Sequence, residues 1–305
     1  MPPDALPMAF SGEPSELYVA LAEDPNWKQL VNSGRRFSLT YGHRPFGQVV
    51  LEDARVDSSE PGTYRVSAQR FWLNQASYPE LTFSLRKHVE TIELRQEPQG
   101  DVKPLELNYT PGGGAKLWLF SLPHQPARGA LAHYGLPLLP DRDPTRLLTS
   151  LSLVVPDAAD KPVRGRLELV LDAWPKPDWP DTKALLGDTL SLGARVEPAE
   201  QGGSWALEDA RVSLLLFTLS GRGRIDWAEP PAFALDASGE RTCEQLRKNL
   251  EPSVYLDDIT RFLAAQPASA AKGSVRLSVH LRVSPTSGVR EIDWRLTAGC
   301  GLAAR

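Results

Sequence analysis

A chain of 305 residues exceeds the roughly 250–300 at which one hydrophobic core stops growing, so two domains are expected. Its 41% hydrophobic and 24% charged residues are ordinary for a globular protein. A net charge of −4 with no basic stripe excludes the footprint of a nucleic-acid partner. No apolar run approaches the roughly 20 residues that span a bilayer, so no membrane span is expected.

The first forty residues read as proline-rich coil and then a short helix, capped by Asp24, with Pro25 at its first position and Gly34 at its end. The opening Met-Pro-Pro-Asp reads like a methionine set before a trimmed mature start. An extracytoplasmic, periplasmic location after signal removal is therefore favoured over a cytoplasmic one.

Beyond residue 40 the hydrophobic period is two. Leu81, Phe83 and Leu85 alternate with polar residues, as do Leu167, Leu169 and Leu171, and the series Val275, Leu277, Val279, Leu281 and Val283. These are half-buried antiparallel strands. Between Leu85 and Ile92 the apolar phase slips by one, which predicts a bulge or tight turn near 87–91. The stretches 117–122 and 214–219 are apolar on both parities and are expected to be central strands covered on both faces. Glu60-Pro61-Gly62, Pro98-Gln99-Gly100, Pro111-Gly112-Gly113-Gly114 and Pro285-Thr286-Ser287-Gly288 punctuate the strands as turns.

Short strands at that spacing predict a mainly β fold of two β-sandwich-like domains. Ala173 to Asp181 carries three prolines and two tryptophans near the midpoint of the chain. The expected division is therefore residues 1–172, a Pro/Trp-rich linker at 173–188, and a second domain at 189–305. Leu51-Glu52-Asp53-Ala54-Arg55-Val56 recurs unchanged at 207–212, 156 positions on, as a tandem duplication would produce, although the flanks do not align. The second half also carries an inserted helical pair at 239–266, broken at Pro252, with Leu246 and Leu250 on one face of the first helix and Ile259, Phe262 and Leu263 on one face of the second. Cys243 and Cys300 suit one disulfide if the compartment is oxidising; two buried free thiols are the competing expectation.

Signatures of catalysis are weak. Gly112-Gly113-Gly114-Ala115-Lys116 lacks the second glycine, the Lys-Ser/Thr pair and the following helix of a phosphate loop, and is expected to be a hairpin turn. No nucleophile elbow occurs and no cofactor is expected. His124 and His133, with Asp141 and Asp143 in the long 122–144 connection, are the candidates for acid–base chemistry on a carbohydrate or ester. They match no metal-ligand spacing, and aspartates in Pro140-Asp141-Arg142-Asp143-Pro144 are commonly bound to their own backbone. Tyr41, His43, Arg44 and Phe46 have the composition of a recognition loop. Trp174 and Trp179 offer rings for a sugar or a partner chain, although packing between domains is the commoner use. The expected function is a non-enzymatic binding or assembly module that holds a protein or carbohydrate through loops and strand edges. A hydrolase and a structural subunit of a larger assembly are the alternatives, the latter predicting an apolar patch or an unprotected edge strand.

Overall fold

The computed structural model describes residues 5–43, 47–73, 76–78, 80–87, 92–96, 102–133, 143–179, 182–198, 204–226, 232–250, 256–268, 271–284 and 289–300. The chain is mainly β-strand. It begins with β1 (Leu6–Ser11), α1 (Pro14–Glu23) and α2 (Pro25–Leu30). Then come β2 (Phe37–His43), β3 (Gly47–Glu60), β4 (Thr63–Leu73), β5 (Ala76–Tyr78), β6 (Leu81–Lys87), β7 (Ile92–Gln96), β8 (Glu106–Gly112) and β9 (Ala115–Pro126). After α3 (Ala127–His133) follow β10 (Arg146–Pro156), β11 (Arg164–Asp172), α4 (Thr182–Leu186), β12 (Thr189–Pro198), β13 (Ser204–Ser213), β14 (Thr218–Asp226) and β15 (Ala232–Thr242). The chain ends with the helical pair α5 (Cys243–Leu250) and α6 (Leu256–Ala264), then β16 (Ser274–Ser284) and β17 (Val289–Ala298).

Strand pairing is a meander. From β2 onward each strand is antiparallel to the next, except that β4 is long enough to carry both β5 and β6; β1 lies parallel to β2. Two main cores form along it. The smaller is built from residues between Met8 and Phe83, with Trp27 of α2 packed edge-on to Phe37 and Tyr64, both at 5.4 Å. The larger takes Tyr18 and then residues from Tyr109 to Cys300. The segment 173–188, expected to join two domains, is itself packed: Trp174 is 4% exposed, and Leu185 and Leu186 are fully buried in the larger core.

Asp24 caps α2 as expected, accepting from the amides of Asn26 and Trp27, and Gly34 adopts φ 71°. The glycines after Pro111 make the β8–β9 hairpin, two of them at φ 65° and 79°. Strands β6 and β7 pair as a hairpin closing at Lys87 and Ile92, as the phase slip requires; 88–91 lie outside the described residues, as do the turns at 98–100 and 285–288. The helical pair buries Leu246, Leu250, Ile259 and Leu263 as its spacing predicts. Cys243 and Cys300 are joined, with their Cα atoms 5.8 Å apart.

Both stretches apolar on two parities differ from expectation. In β9, Leu117 and Leu119 are 43% and 39% exposed, because that strand is paired on both edges but covered on one face only. Residues 214–217 form the turn between β13 and β14 rather than a strand. Leu214, Leu216 and Phe217 tuck into the larger core, while Leu215 is 62% exposed and hydrogen-bonds through its amide to the Leu186 carbonyl.

The repeated hexapeptide encodes a β-bulge. Leu51, Ala54 and Val56 are buried, as are Leu207, Ala210 and Val212, yet the leucine and alanine stand three apart. A period-two strand can bury both only by inserting a residue, and Asp53 and Asp209 are that residue, at φ 52° and 50°. Aspartate tolerates this left-handed conformation better than most side chains. Register shifts occur beside both, against β2 and β12, and both carboxylates meet an arginine from the preceding segment: Arg36 at 2.7 Å and Arg195 at 3.3 Å.

Glycines on β14 and β15 allow the sheet to bend. A Cβ on Gly221 would lie 1.9 Å from the Asp236 carbonyl, and one on Gly239 would lie 2.2 Å from that of Thr218. Such close backbone approach marks a sheet turning a corner. It agrees with a curl that brings Trp174, just after β11, within 5.4 Å of Trp294 on β17.

Candidate functional site

Strands β9 to β12 place four polar side chains in one row. His124 Nε2 is 2.8 Å from Asp172 Oδ2, Arg146 Nε donates to His124 Nδ1 at 3.4 Å, and Thr189 Oγ1 donates to Asp172 Oδ1 at 2.7 Å. The register that sets Arg146 opposite Asp172 and Asp172 opposite Thr189 builds the row. The Thr189 hydroxyl first, and then His124, hold the Asp172 carboxyl below its ordinary pKa. Both ring nitrogens of His124 are thus engaged, Nε2 with Asp172 and Nδ1 with Arg146, and the row ties β9, β10 and β11 together.

The other acid–base candidates do not join it. Asp143 accepts from the Thr145 amide at 2.8 Å, the local turn bond its proline-flanked context implies. His133 ends α3 with its side chain outside what is described, and Asp141 lies outside the described residues.

In the expected recognition loop, Arg44 and Phe46 lie outside the described residues, as does the side chain of His43. Tyr41 donates to the Gly12 carbonyl at 2.7 Å, and burial, with Glu13, Tyr109 and Glu16 nearby, pushes its phenol far up. It borders a junction between the two cores. Tyr109, 1% exposed, donates to Glu13 Oε2 at 2.8 Å, while Lys116 Nζ reaches Glu13 at 2.7 Å and Asp157 at 3.1 Å. Trp174 is buried against Trp294 with Lys176 over its ring, and Trp179, half-buried, lies 6.1 Å from Phe262 of α6. Both rings thus pack against aromatic neighbours, Trp174 buried and Trp179 half-buried.

Two features were not named by the sequence reading. A groove of about 520 Å³ on the outer face of β14–β17 is lined by polar groups, including Asp236, His280, Asp293 and Arg295, with His280 Nδ1 hydrogen-bonded to Asp236. The second is the end of the meander: among the described strands β17 is laddered to β16 alone, in one register from Val289 to Ala298 with no bulge. The alternation of residues 289–298 was available in the sequence, but which strand stands at a sheet edge is a property of the topology.

No known protein family matches the chain, and no match is found among curated proteins or solved structures. Among the described residues no helix is long and apolar enough to cross a membrane.

Proposed function

We propose that this chain is a non-enzymatic binding or assembly module that recognises a protein partner by adding a strand to a sheet edge. The observation that carries this reading is the regular ten-residue β17, which among the described strands is laddered to β16 on one side only. Proteins ordinarily blunt such edges with proline, bulges or charged residues; β17 has no proline, bulge or lysine, and its charges are two arginines and two acids, which favour a partner strand of complementary charge over indiscriminate pairing. Such an edge supports use as a template, because ladder hydrogen bonds supply affinity and alternate side chains supply selectivity. β1, paired only with β2 among the described strands, is the corresponding edge at the other end.

The halves read as copies of one unit. At the offset of 156 set by the hexapeptides, α2 falls on α4, β2 on β12, β3 on β13, β4 on β14 and β9 on β16; because the offset is the same on both sides of it, the helical pair takes the place of β7 and β8 rather than being inserted. The Cys243–Cys300 bond supports an oxidising compartment, and so an extracytoplasmic site of action.

The test is affinity recovery of the full tagged chain, followed by hydrogen exchange on the purified complex. Slowed amide exchange in β17 or β1, with the rest of the sheet unchanged, supports strand addition. A bound partner that leaves both edges exchanging at the free rate, or a carbohydrate bound with no protein partner, overturns it.

A further inference from the structure

Resting on that reading, we infer that the partner strand is the β17 of a second copy of this chain, so that the protein forms a two-fold dimer through an antiparallel β17–β17′ ladder.

The argument is one of self-complementarity. Two identical strands pair antiparallel about a two-fold axis, so residues equidistant from the centre stand opposite one another. With the axis at Trp294, Asp293 of each copy faces Arg295 of the other, giving two symmetric ion pairs. Glu291 faces Thr297, and Ile292 faces Leu296. Moving the axis one residue either way sets Asp293 opposite Asp293, or Arg295 opposite Arg295, and like charges directly opposite are unfavourable. The Asp293-centred register would also set Glu291 opposite Arg295, but only the register centred on Trp294 pairs opposite charges without setting like charges face to face.

Burial points the same way. Ile292 shares the inward-facing parity of Leu296 and Ala298, which are 5% and 8% exposed, yet it is 40% exposed. An apolar inward side chain left open at a sheet edge is what an added strand would cover. On the other face Asp293 and Arg295 are 45% and 77% exposed and engage each other at 2.7 Å, so they can exchange that contact for the same one across the axis. The far end of the ladder is bounded: the Ala298 amide donates to the Pro267 carbonyl, which leaves Glu291 to Thr297 for pairing. A contact of β17 with the β1 of another copy would instead be head-to-tail and would grow without closing.

Sedimentation equilibrium of the full oxidised chain at micromolar concentrations tests this. Asp293→Arg and Arg295→Asp should each weaken dimerisation by at least roughly tenfold, because both symmetric pairs become repulsive, and the double swap should restore it. Circular dichroism establishes that each variant keeps its fold. As a second measurement, Glu291→Cys/Thr297→Cys should cross-link two chains under mild oxidation, these positions being too distant within one strand to bridge. A wild-type monomer overturns the inference, as does a dimer indifferent to the charge reversals, a swap that fails to rescue, or open-ended oligomers. Failure here leaves binding to a different protein intact, which the exchange experiment reads separately.

Discussion

Removing the Cys243–Cys300 bond tests how the end of the chain is held. The two cysteines are 57 residues apart, and closing a loop of that length removes about 14 cal/mol/K from the unfolded ensemble, or about 4 kcal/mol at room temperature. The enclosed loop contains α5, α6, β16 and β17, so β17 and every element that leads to it lie inside one closure. A chain of this size unfolding as one unit has an entropy near 640 cal/mol/K at its midpoint, so the expected fall in Tm is about 6 °C. Alanine is the replacement of choice, because Cys300 is 9% exposed and a serine hydroxyl there would lack water. Differential scanning calorimetry of Cys243→Ala/Cys300→Ala against the oxidised protein measures the shift. A change below about 2 °C would refute the loop-entropy account, and would mean that the bonds Cys243 N–H to Gly273 O, Gly273 N–H to Gly299 O and Gly299 N–H to Ser274 O already hold the junction closed.

Three further expectations follow from local geometry. Asp209→Val puts a β-branched residue at φ 50° and should destabilise by about 2 kcal/mol in urea unfolding, whereas Asp209→Gly keeps the bulge and should change stability by less than about 1 kcal/mol; equal losses would sink the bulge reading. Gly221→Ala forces β14 from β15 and should lower stability by more than about 2 kcal/mol by the same measurement, an outcome contradicted if the variant melts with the wild type. Thr189→Val removes the largest cause of the depressed Asp172 pKa, so carbon-13 NMR should show that carboxyl titrating at higher pH. Because the folded pKa lies below the unfolded one, the stabilisation is present above the ordinary carboxylate range and lost as pH falls through the folded value; an unmoved titration would assign the depression to His124 and Arg146 instead.

Much of the fold was legible. Period-two alternation gave the strands of the second half, glycine clusters gave the hairpins, and 3.6-residue spacing gave α5 and α6 with their buried faces. The bulge was legible too, since leucine and alanine three apart in a strand announce it, but the repeat drew attention to ancestry rather than to parity. The doubly apolar stretches misled because apolar content on both parities marks a central strand only if both faces are covered. Leu214, Leu216 and Phe217 reach the core from a turn, and Leu117 and Leu119 stand on an open face. His124 and Asp172 are 48 residues apart and meet through two successive strand registers, β9 with β10 and β10 with β11, which no local spacing encodes.

Sequential pairing also has a temporal consequence. Because almost every strand finds its partner in the strand just made, the sheet can lengthen in the order of synthesis, without waiting for distant segments. At each stage the newest strand presents a raw edge until its successor emerges, so a nascent chain is sticky along its whole history. The Cys243–Cys300 link, whose second sulfur lies beyond β17, can form only after β16 and β17 have both been made, so it closes a segment whose strands are already in place.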